Sequence, residues 1–273
     1  MSTLAAGAAR RPVARRLPDW LLPWIGVAAV LALFELLART ELLFSNRYFP
    51  PVTDMAAALA DLVGDAAIWT ALGQTLQGWA LGLGIAVAIA VPLGIVIGSA
   101  PLLYRALRGV IEFLRPIPSV ALIPLAVLIY GTGMGSKVFL AAFASTWPLL
   151  MQTLYGVQDV DPVATDTARS FGFSRVQRLA RVTLPSAFPY IATGLRISAT
   201  VALILVVTAE LVIGAPGLGR EINLARQGGA VDIMYALIVV TGLLGWALNG
   251  VFTRLERRLL HWHPSQRPQE TAP

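Results

Sequence analysis

Apolar residues gather along this chain in runs longer than a strand or a soluble amphipathic helix needs, and polar residues collect in the short stretches between them. A spanning helix takes about 20 mainly apolar residues. Six windows reach that length: Leu21–Ala38, Trp79–Ala100, Ile111–Tyr130, Val138–Val157, Ile191–Ile213 and Ile233–Phe252. No strand-like alternation accompanies them, which argues against a membrane barrel. The pattern predicts an all-α polytopic membrane protein. Its six transmembrane helices lie within residues 20–262, between a polar tail over 1–19 and another over 263–273.

Shorter patterns fill the gaps. The opening "RRPVARRLPDWLLPWIGVAAVLALFELL" pairs a basic stretch with an apolar one, as a signal peptide does. The apolar run is long for that role and no small-x-small cleavage site follows, so a retained first span is the better reading. "PPVTDMAAALADLVGDA" reads as a short amphipathic helix on the outer side, capped near Thr53, where it lies at the interface or touches a delivered protein. Residues 158–184 form a polar, basic loop between the fourth and fifth spans. In it Asp161 suits an N-cap, Pro162 the first helical position and Gly172 the left-handed residue past the end. Ser174 caps a second helix that runs until Pro185, with Arg175, Arg178 and Arg181 on one face and Val176, Leu179, Ala180 and Thr183 on the other.

Composition agrees with the spans. Of 273 residues, 56% are hydrophobic and 13% charged, against roughly a quarter charged in soluble domains. The absence of cysteine excludes disulfides and thiolate metal sites. A net charge of +6 would suit nucleic acid, but its distribution does not. Arginines crowd one side of the membrane, at 10–16, 105–108, 169–181 and 254–267. The other side holds Arg39, Arg47, Lys137, Arg220 and Arg226. Cytoplasmic loops carry the Lys/Arg excess, so the basic side, with both termini and the loop at 158–184, is read as cytoplasmic.

Charges inside spans are costly and mark functional candidates. Arg105, Arg108, Glu112 and Arg115 fall on one helical stripe, with Glu112 and Arg115 spaced as an i, i+3 pair. Pro116, Pro118 and Pro124 follow and break the helix. Such a broken span lines a solute path, or else the charges snorkel from a cytoplasmic end. Arg196 and Glu210 share the fifth span about 21 Å apart, so each needs a partner elsewhere or faces a cavity. "GTGMGSK" is no phosphate loop, because Ser136 rather than glycine precedes Lys137 and Val138 follows. It and "GAPGLG" read as turns on the outer side. His261 and His263, flanking Trp262, lack the carboxylate company of a metal site. No nucleophile–base set and no ATP-binding motif is present, so neither catalysis, a cofactor nor a metal is expected of this chain.

The stretch "DTARSFGFSRVQRLARVTLPSAFP" resembles the EAA loop of permease subunits of ATP-binding-cassette importers. That loop runs acidic residue, small residue, alanine, three variable positions, glycine, then a hydrophobic-x-Leu-Pro or similar ending. Asp166, Thr167, Ala168, Gly172 and Pro185 match it in order, with Asp for the usual Glu and Thr167 for the usual alanine. "FLRPIPSVALIPLAVLIYGTGMGSKVF", "TAELVIGAPGLGREI" and "LLGWALNGVFTRLERRLLHW" resemble the nitrate/sulfonate/taurine branch, and the likeness covers roughly residues 45 to 262. It implies a type I importer permease fold in which the helix over 162–172 is a coupling helix seated in a groove of an ATP-binding subunit. Ala168 and Gly172 would permit close approach, Asp166 would accept hydrogen bonds, Arg169 would pair with a partner's acids, and Ser170 and Pro185 would complete the set. Glu112, Arg115, Pro116, Pro118, Arg196 and Glu210 are then expected along the translocation path. The implied partners are the ATP-binding subunit, an external solute-binding protein, a second permease copy in a homodimer, and lipid. Sulfonates, taurine, nitrate, bicarbonate and vitamin precursors are all compatible cargoes. An ion-driven transporter or channel, and a membrane enzyme or assembly factor, are the rival readings.

Overall fold

The structure is a computed structural model that describes residues 21–40 and 48–260. The expectations for the two tails, for Arg47 and for His261, Trp262 and His263 lie outside those residues. Among the described residues all regular structure is helical.

The chain divides into a unit ending at Ala57 and a larger one from Ala58 onward. In the first, helix α1 (Leu22–Thr40) carries an apolar surface with a polar end. There Arg39 Nε lies 2.6 Å from Glu35 Oε1 and donates through Nη2 to Thr53 Oγ1 at 3.0 Å. Thr53 therefore sits inside helix α2 (Val52–Gly64), one residue past its start, and its hydroxyl is engaged by Glu35 and Arg39 rather than free to cap.

In the larger unit, α3 (Ala66–Ser99), α6 (Met134–Gln158) and α9 (Leu184–Ile213) form the packed centre. Lipid tails are as apolar as leucine, so helices associate there through close packing of small residues. On α3, Gly78, Gly82, Ala86, Ala90 and Gly94 recur every fourth position and all are buried. A Cβ on Gly82 would come within 2.6 Å of the Ala141 Cβ on α6. Helix α3 spans 34 residues, or about 50 Å, so its ends reach beyond the apolar slab. The sequence window began late because Thr70, Gln74 and Thr75 dilute the apolar run without interrupting the helix.

The third expected span is not one helix. Helix α4 (Pro101–Leu114) and the segment Ser119–Tyr130, a 3₁₀ turn leading into α5 (Ile123–Tyr130), meet at 80°. Pro116 and Pro118 cause the break. Each lacks a backbone donor, and although Arg115 keeps helical geometry, Pro118 itself is extended at φ -61° and ψ 114°. Among the described residues, five helices are thus long and apolar enough to cross a membrane, or six if the bent pair is counted as one span.

After α7 (Pro162–Ser170), helix α8 (Arg175–Arg178) does not stop at Pro185. It passes through a π turn at Leu179–Thr183 directly into α9. The wider turn, with the Leu184 N–H donating to the Leu179 carbonyl, accommodates a proline ring that would otherwise meet the carbonyl of Arg181. Helices α10 (Leu218–Gln227) and α11 (Val231–Leu259) close the fold. Part of "GAPGLG" therefore belongs to α10, which buries Leu218 and Ile222 against Ile68, Ala71 and Leu237.

Candidate functional site

Two features stand out, at the two ends of α9. At its N-terminal end lies the α7 corner. Asp161 Oδ1 accepts from the Val163 N–H at 2.8 Å, and Pro162 occupies the first turn, where its missing donor costs nothing. The helix closes with paired reverse bonds: Phe173 N–H to Ala168 O at 3.0 Å and Gly172 N–H to Arg169 O at 2.9 Å. Gly172 takes φ +77°, a conformation that glycine adopts without strain. Ser174 and Gln177 then form a reciprocal capping box that starts α8. Every bend of the corner is fixed by its own local hydrogen bonds.

Of the residues expected to act here, Asp166 and Arg169 are 69% and 67% exposed and pair with each other at 3.2 Å. Thr167 and Ser170 are exposed beside them, and the Ser170 hydroxyl donates to the Asp166 carbonyl at 3.0 Å. Ala168 turns inward and is the buried residue of α7, so its small side chain serves the packing of the helix on its own loop. Val163 and Phe171 project outward as exposed apolar residues. Pro185 lies away from this face, on a cavity of about 950 Å³ that also touches Asp159, Arg181 and Tyr190. A groove of about 740 Å³ on the other side is lined by Arg105, Arg169, Arg175 and Arg178.

The residues expected along a path are dispersed. Glu112 bonds Arg108 at 2.7 Å rather than Arg115, which corrects the expected i, i+3 pair. Both spacings bring side chains together on a helix, but Arg115 sits at the end of α4, where the chain turns into the proline bend. With both partners more than 60% exposed, Glu112→Gln should change stability by less than about 0.5 kcal/mol in a thermal melt, because exposed pairs contribute little. Arg115, Pro116 and Pro118 are exposed at the bend. Arg196 meets Glu256 of α11 at 3.5 Å, an ion pair without hydrogen-bond alignment.

Glu210, at the other end of α9, has a different setting from the cavity wall expected of it. Its partner is Lys137, 2.7 Å away, and both side chains are 0% exposed. The sequence reading put Lys137 in an outer turn, whereas it lies in the first turn of α6, pointing into the bundle. Its ammonium also donates to the carbonyls of Gln74 at 2.9 Å and Pro216 at 2.5 Å. The Glu210 carboxylate accepts from Thr75 Oγ1 at 2.9 Å and from the Gly219 N–H at 3.0 Å. Thr75 in turn accepts from the Leu218 N–H at 2.9 Å. A Cβ on Gly217 would fall 2.0 Å from Glu210 Oε1, so only glycine lets the backbone pass there. The cluster pins α3, α6, α9 and the start of α10 together with its charges and donors satisfied. It can hold structure, but it has no open side for a ligand. Two lone opposite charges near the same end of neighbouring apolar runs were the available signal in the sequence. Among the described residues, no group of His, Cys, Asp or Glu is arranged to hold a metal ion.

Residues 90–261 match the family described as "Binding-protein-dependent transport system inner membrane component". The taurine transport system permease protein TauC of Escherichia coli (strain K12) is 36% identical over 244 residues, covering 88% of this chain and 89% of that protein. A putative aliphatic sulfonates transport permease protein, SsuC of Bacillus subtilis (strain 168), is 27% identical, covering 95% and 94%. The nitrate import permease protein NrtB of Leptolyngbya laminosa is 29% identical, covering 72% and 70%. Among solved structures, a chain of the inward-facing MetNI methionine ABC transporter superposes with a TM-score of 0.61 at 19% identity, over 70% of this chain and 95% of that one. A chain of a bacterial ABC transporter involved in alginate import gives 0.59 at 16%, over 88% and 96%. At those identities the structures establish a shared fold.

Proposed function

The chain belongs to the family of binding-protein-dependent transport system inner membrane components, and from that premise we propose that it is the membrane-spanning subunit of an importer for small sulfonates, taurine or nitrate-like anions. Two copies would work with two ATP-binding subunits and receive solute from an external binding protein. The 158–184 loop and both chain ends would face the cytoplasm.

The observation that carries this reading is the α7 corner. It is a short helix whose start, end and exit are each fixed by local hydrogen bonds, and whose outward face is polar and unpacked. A surface element held that firmly, with Asp166, Thr167, Arg169 and Ser170 displayed and Val163 and Phe171 beside them, is built to be gripped. ATP binding would draw the ATP-binding subunits together, α7 would move with them, and α8 would pass the motion without a break into α9. The space between the two permease copies would then open outward to accept solute, and hydrolysis would reverse the movement. The solute class rests on the names of the relatives. An ion-driven mechanism finds less support, because the buried Lys137–Glu210 pair is already neutral as a unit and sealed.

Proteoliposomes holding the permease with its ATP-binding subunits test this. Labelled taurine or nitrate should accumulate when ATP and the loaded binding protein are present, and not when either is omitted. Accumulation driven by a proton or sodium gradient without the ATP-binding subunits would overturn the proposal.

A further inference from the structure

We propose that Tyr190 and Asp159 are positioning residues that brace the root of α7 against α9, and that this brace sets how much of the movement of α7 reaches the spans. The inference rests on the coupling role given to α7 above. Helix α6 ends at Gln158, Asp159 follows it, and Asp161 already caps α7, so Asp159 lies in the short hinge between the two helices. The Tyr190 hydroxyl donates to Asp159 Oδ2 at 2.5 Å across 31 positions of sequence. That bond closes the whole loop at its base and joins the hinge to the second turn of α9.

The backbone is shaped to allow it. A Cβ on Gly156 would come within 2.7 Å of the Tyr190 Cβ and 3.1 Å of the Ala187 carbonyl, so the absence of a side chain lets α9 press the tyrosine onto α6. The cavity of about 950 Å³ lies alongside, touching Asp159, Asp161, Arg181 and Tyr190. Beyond the Gly156 contact the hinge therefore borders an open cleft rather than packed side chains, and a displacement of α7 could be taken up there. A hydrogen bond to a carboxylate is the stronger kind, and its place at the hinge makes α6, α7 and α9 respond together.

The test uses the permease reconstituted with its ATP-binding subunits and binding protein, and reads solute imported per ATP hydrolysed. Tyr190→Phe keeps the ring and removes only the donor. It should assemble as wild type does yet lower the ratio about tenfold, the lower end of the scale for one hydrogen bond to a charged group. Asp159→Ala should match it, Asp159→Asn should keep most of the ratio because an acceptor remains, and Tyr190→Phe/Asp159→Ala should be no worse than either single change. Gly156→Ala should reproduce the loss by displacing the tyrosine. A wild-type ratio for Tyr190→Phe would overturn the inference, and so would losses that multiply in the double variant. Failure of both single variants to assemble would also overturn it, by showing that the pair serves folding alone. If wild-type permease did not bind the ATP-binding subunits at all, the fault would lie with the coupling role itself.

Discussion

Glu210→Ala is expected to destabilise the protein by about 3–5 kcal/mol, because removing one partner of a buried ion pair strands the other charge. Lys137 would keep its carbonyl contacts with Gln74 and Pro216 but have no counter-charge and no exposed surface. In a helical bundle surrounded by lipid, such a charge finds no water to turn to. Thr75 and the Gly219 N–H would lose their acceptor too, freeing the start of α10. Glu210→Gln should cost less, since the amide oxygen still accepts from one of those donors. Lys137→Met combined with Glu210→Gln should recover much of the loss, as apolar or neutral replacements of a whole buried pair commonly do. Thermal midpoints of the detergent-solubilised protein measure this order. A midpoint for Glu210→Ala equal to that of wild type would remove the cluster from the account of the fold.

Gly172→Val should produce the second large effect, and at the other end of α9. A β-branched residue resists φ +77°, and a left-handed backbone costs an ordinary residue about 1–2 kcal/mol. That strain falls on the paired bonds from Phe173 and Gly172 that close α7. The corner would then give up the fixed geometry that its proposed coupling role requires. Uptake in proteoliposomes should fall more than about tenfold, as expected when roughly 1.4 kcal/mol or more of coupling geometry is lost. The thermal midpoint should stay near wild type, because the corner is exposed and lies outside the central packing. Gly172→Asn should be milder, since asparagine tolerates this region. A Gly172→Val protein with full uptake would show that the closure of α7 is not needed for function.

The two ends of α9 also differ in how far the sequence revealed them. The α7 corner could be read because its signals are local. Asp161, Pro162, Gly172 and Ser174 each act on backbone within a few residues, and the structure places them in those positions. The spans were legible because lipid demands long apolar runs whatever the tertiary fold. The 80° bend was not, since prolines forecast a break but not its angle. Helix α10 has too few residues and too mixed a polarity to resemble a span, and it owes its burial to α3 and α11. The Lys137–Glu210 contact joins residues 73 apart, so no local rule could select it. The Glu112–Arg108 pairing turned on where α4 ends, which is the least legible property of any helix.

In the proposed transport cycle α7 conveys ATP-driven motion to the membrane helices. The most direct measurement of that transfer is ATP-dependent solute uptake by proteoliposomes in which residues 162–172 carry the same amino acids in scrambled order. This permease should keep a near-normal thermal midpoint, no longer retain the ATP-binding subunits, and import solute only at background rate. Scrambled protein that held those subunits and imported at the wild-type rate would contradict it.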